Sequence, residues 1–410
     1  MKSVDRKQRI AITGLGIVCS IGRDQQEVWQ SILDARAGMG SLTRFPGESF
    51  PTSIAAEVAE PNGVRTRRSR RYSRTDRLAN HAADEAVKQA NRDVRTPLPL
   101  ARTIVSSGSS TGGLLEGEDY YFARMVRGRR RTPVSRVLQQ PTSGPSDAVA
   151  RHLEAAGGVF SNATACASAG AAIGLAADLL RAGYAGAAVA GGSDALCRLT
   201  YSGFNVLQAV DPNPCSPFDE SRQGITLGEG AAYLVLERWE DAEARGVTIL
   251  AELCGYGSTC DAHHPTAPAE DGHGAAAAIR GAVEQSPNGD VAIDYINAHG
   301  TGTLLNDTSE TRGIISALGT SIPTSSTKSY FGHTLGASGA LEAVITVLAL
   351  RAQIAPPTLR LRKAAEECVL DYIAGVPRPM QMRSAISNTF GFGGSNVSLL
   401  FRAAPAERGK

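Results

Sequence analysis

RIAITGLGIVCS, residues 9–20, is an apolar stretch near the start of the chain. Its apolar run predicts a first β-strand over residues 9–18. TILAELCGYGSTCD, residues 248–261, resembles it. The similarity of the two stretches indicates an internal repeat, so we expect two similar halves that meet near residues 240–250. The predicted division is an N-terminal half over 1–246, a C-terminal half over 247–405 and a tail over 406–410.

Short apolar runs alternate with helical patterns along the rest of the chain, which is typical of an α/β fold. Asp24 is predicted to cap a helix with Glu27 as its partner, and Gly38 to end that helix. Asp307 and Glu310 are predicted in the same way to open a later helix. Further strands are predicted over residues 187–190, 231–236, 292–297 and 397–401.

Two helical stretches are built almost entirely from small and apolar residues. IGLAADLLRAG follows TACASAG, which begins at Thr164, and ASGALEAVITVLALRAQ follows TKSYFGH, which begins at Thr327. A helix that is apolar on nearly every face is buried between layers. The second stretch carries Glu342 and Arg351, so we expect a core helix and no membrane span.

Composition excludes several classes of protein. The chain has 410 residues, of which 42% are hydrophobic and 20% charged, so it is not a disordered protein. A net charge of +2 argues against binding of nucleic acid by bulk electrostatics. Seven scattered cysteines without a C-x-x-C pair indicate a reducing compartment. We read the basic and apolar start as a strand rather than a signal peptide, and predict a cytoplasmic protein.

Cys166 is the first candidate for chemistry, because it stands in NATACASAGAA directly before a helix. A thiol at a helix N-terminus meets the positive end of the helix dipole, which favours the thiolate and lowers the pKa. Small neighbours leave the sulfur open to a substrate. Any single cysteine is more often an inert core residue, and this context sets Cys166 apart from the other six.

Two histidines follow predicted strands in loops of glycine and threonine. His299 lies in NAHGTGT, with the hydroxyls of Thr301 and Thr303 close behind, and His333 lies in STKSYFGH, five residues after Lys328. Ligands and catalytic groups gather at the carboxyl ends of strands in α/β sheets. A cysteine and two histidines suit carbon–carbon bond formation through a thioester, with imidazole N–H groups stabilising an enolate.

The remaining motifs allow functional and structural readings. SNTFGFGGSN is either a tight turn before the last strand or a loop whose backbone N–H serves an oxyanion hole, with a phenylalanine as gate. Gly14 and Gly16 lack the third glycine of a dinucleotide-binding fingerprint. The spacing of Cys254, Cys260 and the His263–His264 pair fits no usual zinc pattern.

Two arginine-rich stretches indicate either a solvated face or a docking surface for an acidic partner. Nucleic acid is the rival partner, and the stretches lack the interleaved aromatic residues that it would favour. The first stretch contains Arg65, Arg67, Arg68, Arg70, Arg71, Arg74 and Arg77, and the second contains Arg124, Arg127, Arg129, Arg130, Arg131 and Arg136.

Taken together, the motifs resemble those of the β-ketoacyl-[acyl-carrier-protein] synthases, the elongating ketosynthases of fatty-acid and type II polyketide systems. TACASA, VAGGSDA, SPFDESRQGITLGEGAAYLVLE, NAHGTGT, STKSYFGH and GFGG stand in the order that the family has. The resemblance covers nearly the whole chain. It implies a thiolase-type fold of two α/β halves in five α/β/α/β/α layers, and a homodimer or a heterodimer with a ketosynthase-like chain-length factor.

The resemblance also implies a role for each candidate residue. Cys166 would accept the acyl chain from acyl carrier protein, and His299 and His333 would bind malonyl-carrier and stabilise its enolate. Lys328 and Glu342 would order the site. Neither a metal nor another cofactor is expected. The remaining implied roles are Phe392 and Gly393 in the oxyanion hole and gate, Thr301 and Thr303 against the pantetheine arm, and Arg67, Arg68, Arg71, Arg127, Arg130 and Arg131 in carrier docking.

Two departures bear on the pathway. HGTGT followed by Asn306 and Asp307 differs from the HGTST of housekeeping enzymes, and Ala171 stands where these often have histidine. Both favour a polyketide or polyene pathway over fatty-acid elongation. Three other readings remain open: a chain-length factor, which typically lacks the cysteine; a non-catalytic carrier-binding scaffold; and a degradative thiolase, which usually has a second cysteine near the C-terminal glycine loop.

Overall fold

A computed structural model describes residues 9–46, 50–59, 72–129, 131–286 and 291–404. Its strands are β1 Ile10–Cys19, β2 Gly40–Ser41, β3 Ile54–Ala55, β4 Thr103–Gly108, β5 Gly158–Asn162, β6 Ala187–Asp194, β7 Gly230–Arg238, β8 Ala251–Cys260, β9 Tyr295–Asn297, β10 Thr324–Ser325, β11 Ile354–Ala355, β12 Arg378–Pro379, β13 Ser384–Gly391 and β14 Ser395–Ala403. Its α-helices are α1 Gln25–Leu33, α2 Arg74–Ala90, α3 Leu114–Tyr121, α4 Gly144–Leu153, α5 Ser168–Arg181, α6 Arg198–Val206, α7 Trp239–Arg245, α8 His273–Glu284, α9 Leu304–Leu318, α10 Lys328–Phe331 and α11 Ser338–Ala352.

Ten of the strands form one hydrogen-bonded sheet in the order β10-β9-β13-β14-β8-β1-β7-β6-β4-β5. From the centre outward, each half has two antiparallel pairings followed by two parallel ones. The halves meet where β1 and β8 pair antiparallel, with Ile10 opposite Leu253. The repeat predicted from the two similar sequence stretches is therefore confirmed, since those stretches form the two central strands. The boundary between residues 246 and 247 stays a prediction.

Helices α5 and α11 form the middle layer of the molecule. Helix α5 packs on β4 and β6 of the first half and also contacts β8 and β14 of the second, while α11 packs on β7 and β13. Helices α2 and α4 cover the outer face of the first half, and α8 covers that of the second and packs against α9. These contacts give the expected α/β/α/β/α arrangement.

Glycines in the two central strands let the outer helices pack directly on the sheet. A Cβ atom on Gly16 of β1 would lie 1.9 Å from the carbonyl oxygen of Ala82 in α2. One on Gly257 of β8 would lie 1.9 Å from the carbonyl oxygen of Ala278 in α8. The same close approach is thus built twice, once in each half.

Most predicted elements are confirmed, with shifted ends. Asp24 caps α1 by accepting a hydrogen bond from Glu27 N, but the Glu27 carboxylate accepts from Arg23 N rather than from Asp24. Helix α1 ends at Leu33, well before Gly38. The strand predicted over residues 292–297 is confined to Tyr295–Asn297.

The prediction that Asp307 caps a helix is wrong. Helix α9 begins at Leu304, and its N-cap is Thr303, whose hydroxyl accepts from Asn306 N. Asp307 lies in the first turn and is fully buried. Its carboxylate, and that of Glu310, bond to backbone groups of neighbouring loops instead.

Within the part of the chain that the structure describes, one helical stretch, Leu335–Ala352, is long and apolar enough to cross a membrane by length and composition. Of the most apolar 18-residue window, 83% is buried inside the protein. The stretch contains α11 and the short 3₁₀ turn before it, so its apolarity reflects its place between the two halves of the sheet.

We predict that Gly16→Ala destabilises the protein by about 2 kcal/mol, because the added methyl group must displace α2 from β1. Urea unfolding followed by circular dichroism measures the effect. Gly40→Ala is the matched control, since a Cβ atom there would have no neighbour within 4 Å. Equal unfolding midpoints for the two variants would show that the close approach of α2 does not constrain the fold.

Candidate active site

Cys166 lies on a tight backbone turn at the start of α5. The turn is a single 3₁₀ segment, Ala165–Ala167, and Ala165 has a φ of 49°, a left-handed conformation uncommon for residues other than glycine. Hydrogen bonds from Ser168 Oγ and Ser110 Oγ to the Ala165 carbonyl oxygen, at 2.6 and 2.9 Å, hold this conformation. The turn therefore fixes the direction of the Cys166 side chain.

The thiol of Cys166 is neutral in the folded protein. Burial raises its pKa to about 12 and outweighs the opposing effects of Lys328 and of the Phe392 and Cys166 N–H groups. The net pKa therefore lies above the ordinary value of a thiol and not below it, as the helix N-terminus alone led us to expect, because desolvation dominates at this site. The sulfur nevertheless has an N–H group of the glycine-rich loop directed at it, that of Phe392.

His299 is held by a buried lysine. Lys328 Nζ donates to His299 Nδ1 at 2.9 Å and to the His299 carbonyl oxygen at 2.6 Å, and it forms an ion pair with Glu342. These contacts use all three N–H groups of the ammonium. Because Nδ1 of His299 accepts a hydrogen bond, the proton of the neutral ring is on Nε2.

His333 has the same tautomer through different contacts. Its Nδ1 accepts from Leu335 N at 3.2 Å and lies 3.0 Å from Ser338 Oγ. The ring of His333 meets that of His299 edge to face, with centroids 5.3 Å apart. Burial, and next the charge of Lys328, hold the pKa of both imidazoles well below its ordinary value. Both rings are therefore neutral Nε2–H donors.

Glu310 orders the loop that carries His299. Its two carboxylate oxygens accept from His299 N at 2.8 Å and from Gly300 N at 2.7 Å. Burial raises its pKa to about 7, although the hydrogen bonds oppose that shift. Asp307 accepts from Thr301 N at 3.0 Å and from Gly302 N at 3.2 Å. The two carboxylates thus accept hydrogen bonds from the backbone N–H groups of residues 299–302, which would otherwise be buried without an acceptor.

Asp194, at the end of β6, joins the two halves of the site. It accepts from Thr111 N, at 2.9 Å, in the first half and from Gly336 N, at 2.7 Å, in the second. Sequence reasoning did not single out Asp194, and it assigned Asp307 and Glu310 to helix capping. The available signal was that all three acids stand in or beside motifs otherwise made of small, uncharged residues.

The glycine-rich loop reaches the turn that carries Cys166. A Cβ atom on Gly391 would lie 3.0 Å from Cys166 N, so a larger residue would crowd this contact. The ring of Phe392 is partly exposed and stacks on Phe204 of α6, with centroids 5.6 Å apart. Gly393 N donates to the Pro265 carbonyl oxygen at 2.8 Å and is therefore engaged within the loop.

Cys166, His299 and His333 line one cavity of about 330 Å³. Thr301 and Thr303 line it as well, with their hydroxyl oxygens 2.9 Å apart. Phe392 and several leucines complete an apolar wall. The cavity thus combines a thiol, two N–H donors and paired hydroxyls, while Lys328 and Glu342 lie fully buried behind the imidazoles.

The arginines of the two basic stretches have different environments. Arg65, Arg67, Arg68, Arg70, Arg71 and Arg130 lie outside the described residues. Arg74 is buried and pairs with Glu229 at 2.6 Å, so it belongs to the core and not to a docking surface. Arg127 and Arg129 line a second cavity, of about 470 Å³, with Arg136 and Arg198. Arg131 is exposed.

Cys254 and Cys260 lie on β8, Cys254 buried and Cys260 exposed. Among the described residues, no group of three or more histidine, cysteine, aspartate or glutamate side chains is placed to hold a metal ion.

Comparisons with known proteins agree on one family. The family model described as "Beta-ketoacyl synthase, N-terminal domain" matches residues 7–242, and "Beta-ketoacyl synthase, C-terminal domain" matches residues 250–362. A protein named 3-oxoacyl-[acyl-carrier-protein] synthase 2, from Synechocystis sp., is 39% identical over 97% of this chain and 98% of its own length.

Two solved structures are similar throughout. The ishigamide ketosynthase/chain length factor is 32% identical and superposes with a TM-score of 0.92, over 97% of this chain and 100% of that one. A type II polyketide ketosynthase, solved with its acyl-carrier protein and bound to the hexaketide, is 27% identical with a TM-score of 0.86, over 97% of this chain and 99% of that one.

We predict that alkylation of Cys166 by iodoacetamide accelerates about tenfold per pH unit from about pH 6 to about pH 9, because only the thiolate reacts and the raised pKa lies above this range. Peptide mass spectrometry at timed intervals measures the rate. The alkylation rate of Cys260 in the same protein is the control, because this thiol is exposed and its reaction with iodoacetamide is not slowed by burial. A rate at Cys166 that levels off near pH 7 would show a stabilised thiolate and contradict the account.

Proposed function

Because the chain belongs to the β-ketoacyl synthase family, we propose that it elongates acyl chains on Cys166 in a specialised type II polyketide or polyene pathway. The enzyme is a β-ketoacyl-[acyl-carrier-protein] synthase, an acyltransferase that forms carbon–carbon bonds. One observation carries the assignment of residues: Cys166, His299 and His333 line the same cavity.

In the first step, the Cys166 sulfur attacks the thioester carbonyl of acyl-carrier protein. A new carbon–sulfur bond forms, and the bond to the pantetheine sulfur breaks. The thiol loses its proton as the sulfur attacks, and the proton passes to the departing sulfur. Neither imidazole therefore has to accept it, which agrees with two rings that are already protonated on Nε2. The N–H groups of Cys166 and Phe392 donate to the oxyanion that forms; this role is supported by the contact of both groups with the Cys166 sulfur.

In the second step, malonyl-carrier loses CO₂ and leaves an enolate on its thioester oxygen. His299 and His333 donate their Nε2–H groups to that oxygen, which stabilises the negative charge without transfer of a proton. The enolate carbon attacks the acyl carbonyl, and the bond to Cys166 breaks. The thiolate takes a proton from water and leaves hydroxide, so that the products are a β-ketoacyl-carrier, CO₂, hydroxide and the free thiol.

Lys328 and Glu342 act as positioning residues. Lys328 holds Nδ1 of His299, and Glu342 compensates the charge of the lysine in the core. Thr301 and Thr303 would bind the polar pantetheine arm, a role supported by the position of both residues in the cavity lining. Phe392 would be the gate, and it is followed by Gly393, whose φ of 82° is a left-handed conformation that favours glycine.

The acyl carrier protein is the partner of this reaction. The solved polyketide ketosynthase in complex with its acyl-carrier protein provides a parallel. Arg127 and Arg131 are exposed and suit an acidic carrier. Arg67, Arg68, Arg71 and Arg130 belong to the same proposal on sequence grounds alone.

Three observations bear on the pathway. The structural similarity to the ishigamide ketosynthase and the HGTGT motif support a specialised role. The Synechocystis relative supports the second candidate, fatty-acid elongation.

The intact Cys166, His299 and His333 argue against a silent chain-length factor or scaffold, for which the thiol would be dispensable. SNTFGFGGSN has no cysteine, which argues against a degradative thiolase.

We predict that Cys166→Ala abolishes the covalent acyl adduct and all elongation, because the thioester intermediate cannot form. Intact-mass spectrometry after incubation with acyl-carrier, and then analysis of the carrier-bound product after addition of malonyl-carrier, measures both steps. Cys260→Ala removes an exposed thiol and serves as control. Elongation by Cys166→Ala at the wild-type rate would rule out the assignment.

We predict that Arg127→Glu lowers kcat/KM for acyl-carrier about tenfold at low salt, because the reversed charge repels an acidic partner. The thiol should react with iodoacetamide as in the wild type. Arg95→Glu, which reverses another exposed arginine, is the matched control. Equal kcat/KM values for the two variants would show that the surface around Arg127 is solvent-exposed and does not bind the carrier.

A further inference from the structure

Strands β6 and β13 hold the same place in the two halves of the sheet. Each has eight residues and is the third strand from the centre, with an antiparallel neighbour on one side and a parallel neighbour on the other. Asp194 ends β6 opposite Gly230, the first residue of β7. Gly391 ends β13 opposite Ser395, the first residue of β14. Asp194 and Gly391 are therefore corresponding residues of the internal repeat.

Each of these strand ends meets a short 3₁₀ turn at the start of a buried helix. A Cβ atom on Gly391 would lie 3.0 Å from the nitrogen of Cys166, the central residue of the turn before α5. In the other half, Asp194 Oδ2 accepts a hydrogen bond at 2.7 Å from the nitrogen of Gly336, the central residue of the turn before α11. The place beside the central N–H group is thus open in one half and filled by a carboxylate oxygen in the other.

Asp194 is fully buried, and N–H and O–H groups surround its carboxylate. Oδ1 accepts from Ser109 Oγ at 2.7 Å and from Thr111 N at 2.9 Å. Oδ2 accepts from Ser110 N at 2.9 Å and from Gly336 N at 2.7 Å. Preorganised donors that converge on one buried anion are the arrangement of an oxyanion hole. In this half of the molecule, the protein supplies the anion itself.

Two of these donors connect the carboxylate to the reactive residues. Ser110 also donates through its Oγ to the Ala165 carbonyl oxygen, at 2.9 Å, in the turn that carries the thiol. Gly336 follows Leu335, whose N–H group donates to His333 Nδ1 at 3.2 Å. One carboxylate is therefore linked, through a single residue on each side, to the turn of the nucleophile and to the turn that fixes the imidazole.

We propose that Asp194 is a positioning residue, whose carboxylate takes in the second half the place that the substrate oxyanion takes in the first. The inference rests on the proposed function, because the Cys166 N–H group meets an oxyanion only in that reaction. The filled hole holds the turns of Cys166 and His333 at a fixed distance from each other. Acylation needs only the first turn, whereas condensation needs both.

Asp194→Asn separates the spacing of the two turns from the chemistry at either one. The condensation rate should fall about a hundredfold, because in either orientation the amide directs its NH₂ group at an N–H donor and releases one turn. Acylation of Cys166 should change less than about threefold, since Ser168 Oγ still holds the thiol turn through Ala165. Timed intact-mass spectrometry measures acylation, and analysis of the carrier-bound product measures condensation.

Asp76→Asn is the matched control for the loss of a buried carboxylate. Asp76 is also buried and accepts from a backbone N–H group, that of Ser73 at the start of α2. Acylation and condensation by this variant should both proceed at the wild-type rate.

Chemical rescue tests whether the place of the carboxylate is an anion hole. Asp194→Gly removes the anion and leaves its donors, and formate has the size of the missing group. Sodium formate should raise the condensation rate of this variant about tenfold, whereas sodium chloride at the same concentration should not. Circular dichroism establishes that the variant is folded.

The tautomer of His333 gives a readout that does not depend on turnover. When the turn is released, the N–H group of Leu335 no longer fixes the ring proton on Nε2. Nitrogen-15 NMR of Asp194→Asn should therefore show both tautomers at His333 and only the Nε2–H form at His299, which Lys328 holds. This measurement decides the question if Asp194→Gly does not fold.

Three results would contradict the positioning role: equal losses of acylation and condensation in Asp194→Asn, an unchanged His333 tautomer, or no effect of formate on folded Asp194→Gly. Wild-type elongation by Asp194→Asn would refute this role and leave the proposed function intact. If the wild type formed no Cys166 adduct with acyl-carrier, the proposed function itself would fail.

Discussion

The structure depends on the crossing of two buried helices at a pair of glycines. A Cβ atom on Gly339 of α11 would lie 2.8 Å from Gly170 N of α5. This contact brings the starts of the two helices together between the halves of the sheet, and each start carries a reactive residue. Cys166 precedes α5 and His333 precedes α11, so the distance between thiol and imidazole is set by backbone packing.

The internal repeat explains why both helix starts have the same shape. Ala165 and Leu335 begin equivalent 3₁₀ turns with φ values of 49° and 53°. TACASAG therefore corresponds to TLGASGA, which begins at Thr334. In this register Gly336 takes the place of Cys166. One half of the duplicated scaffold supplies the nucleophile, and the other uses the same turn to support His333 and bind Asp194.

The sequence predicted what depends on local pattern and on recognisable motifs: the α/β class, the repeat, the main strands, and Cys166, His299 and His333 as a group. It could not predict what depends on burial in three dimensions. The pKa of Cys166 follows desolvation rather than the helix dipole, and Asp307 faces inward instead of capping α9. Local spacing shows a carboxylate near a helix start, but not which backbone N–H groups the fold brings to it.

The neutrality of the reactive side chains follows from their burial, which gives a neutral thiol and two Nε2–H imidazoles. Nitrogen-15 NMR of protein labelled at its seven histidines tests it directly, with His299→Gln and His333→Gln to assign the signals. Both imidazoles should be neutral, with the proton on Nε2, throughout about pH 6 to pH 8. An imidazolium at either position near pH 7 would contradict the account and imply a thiolate–imidazolium pair.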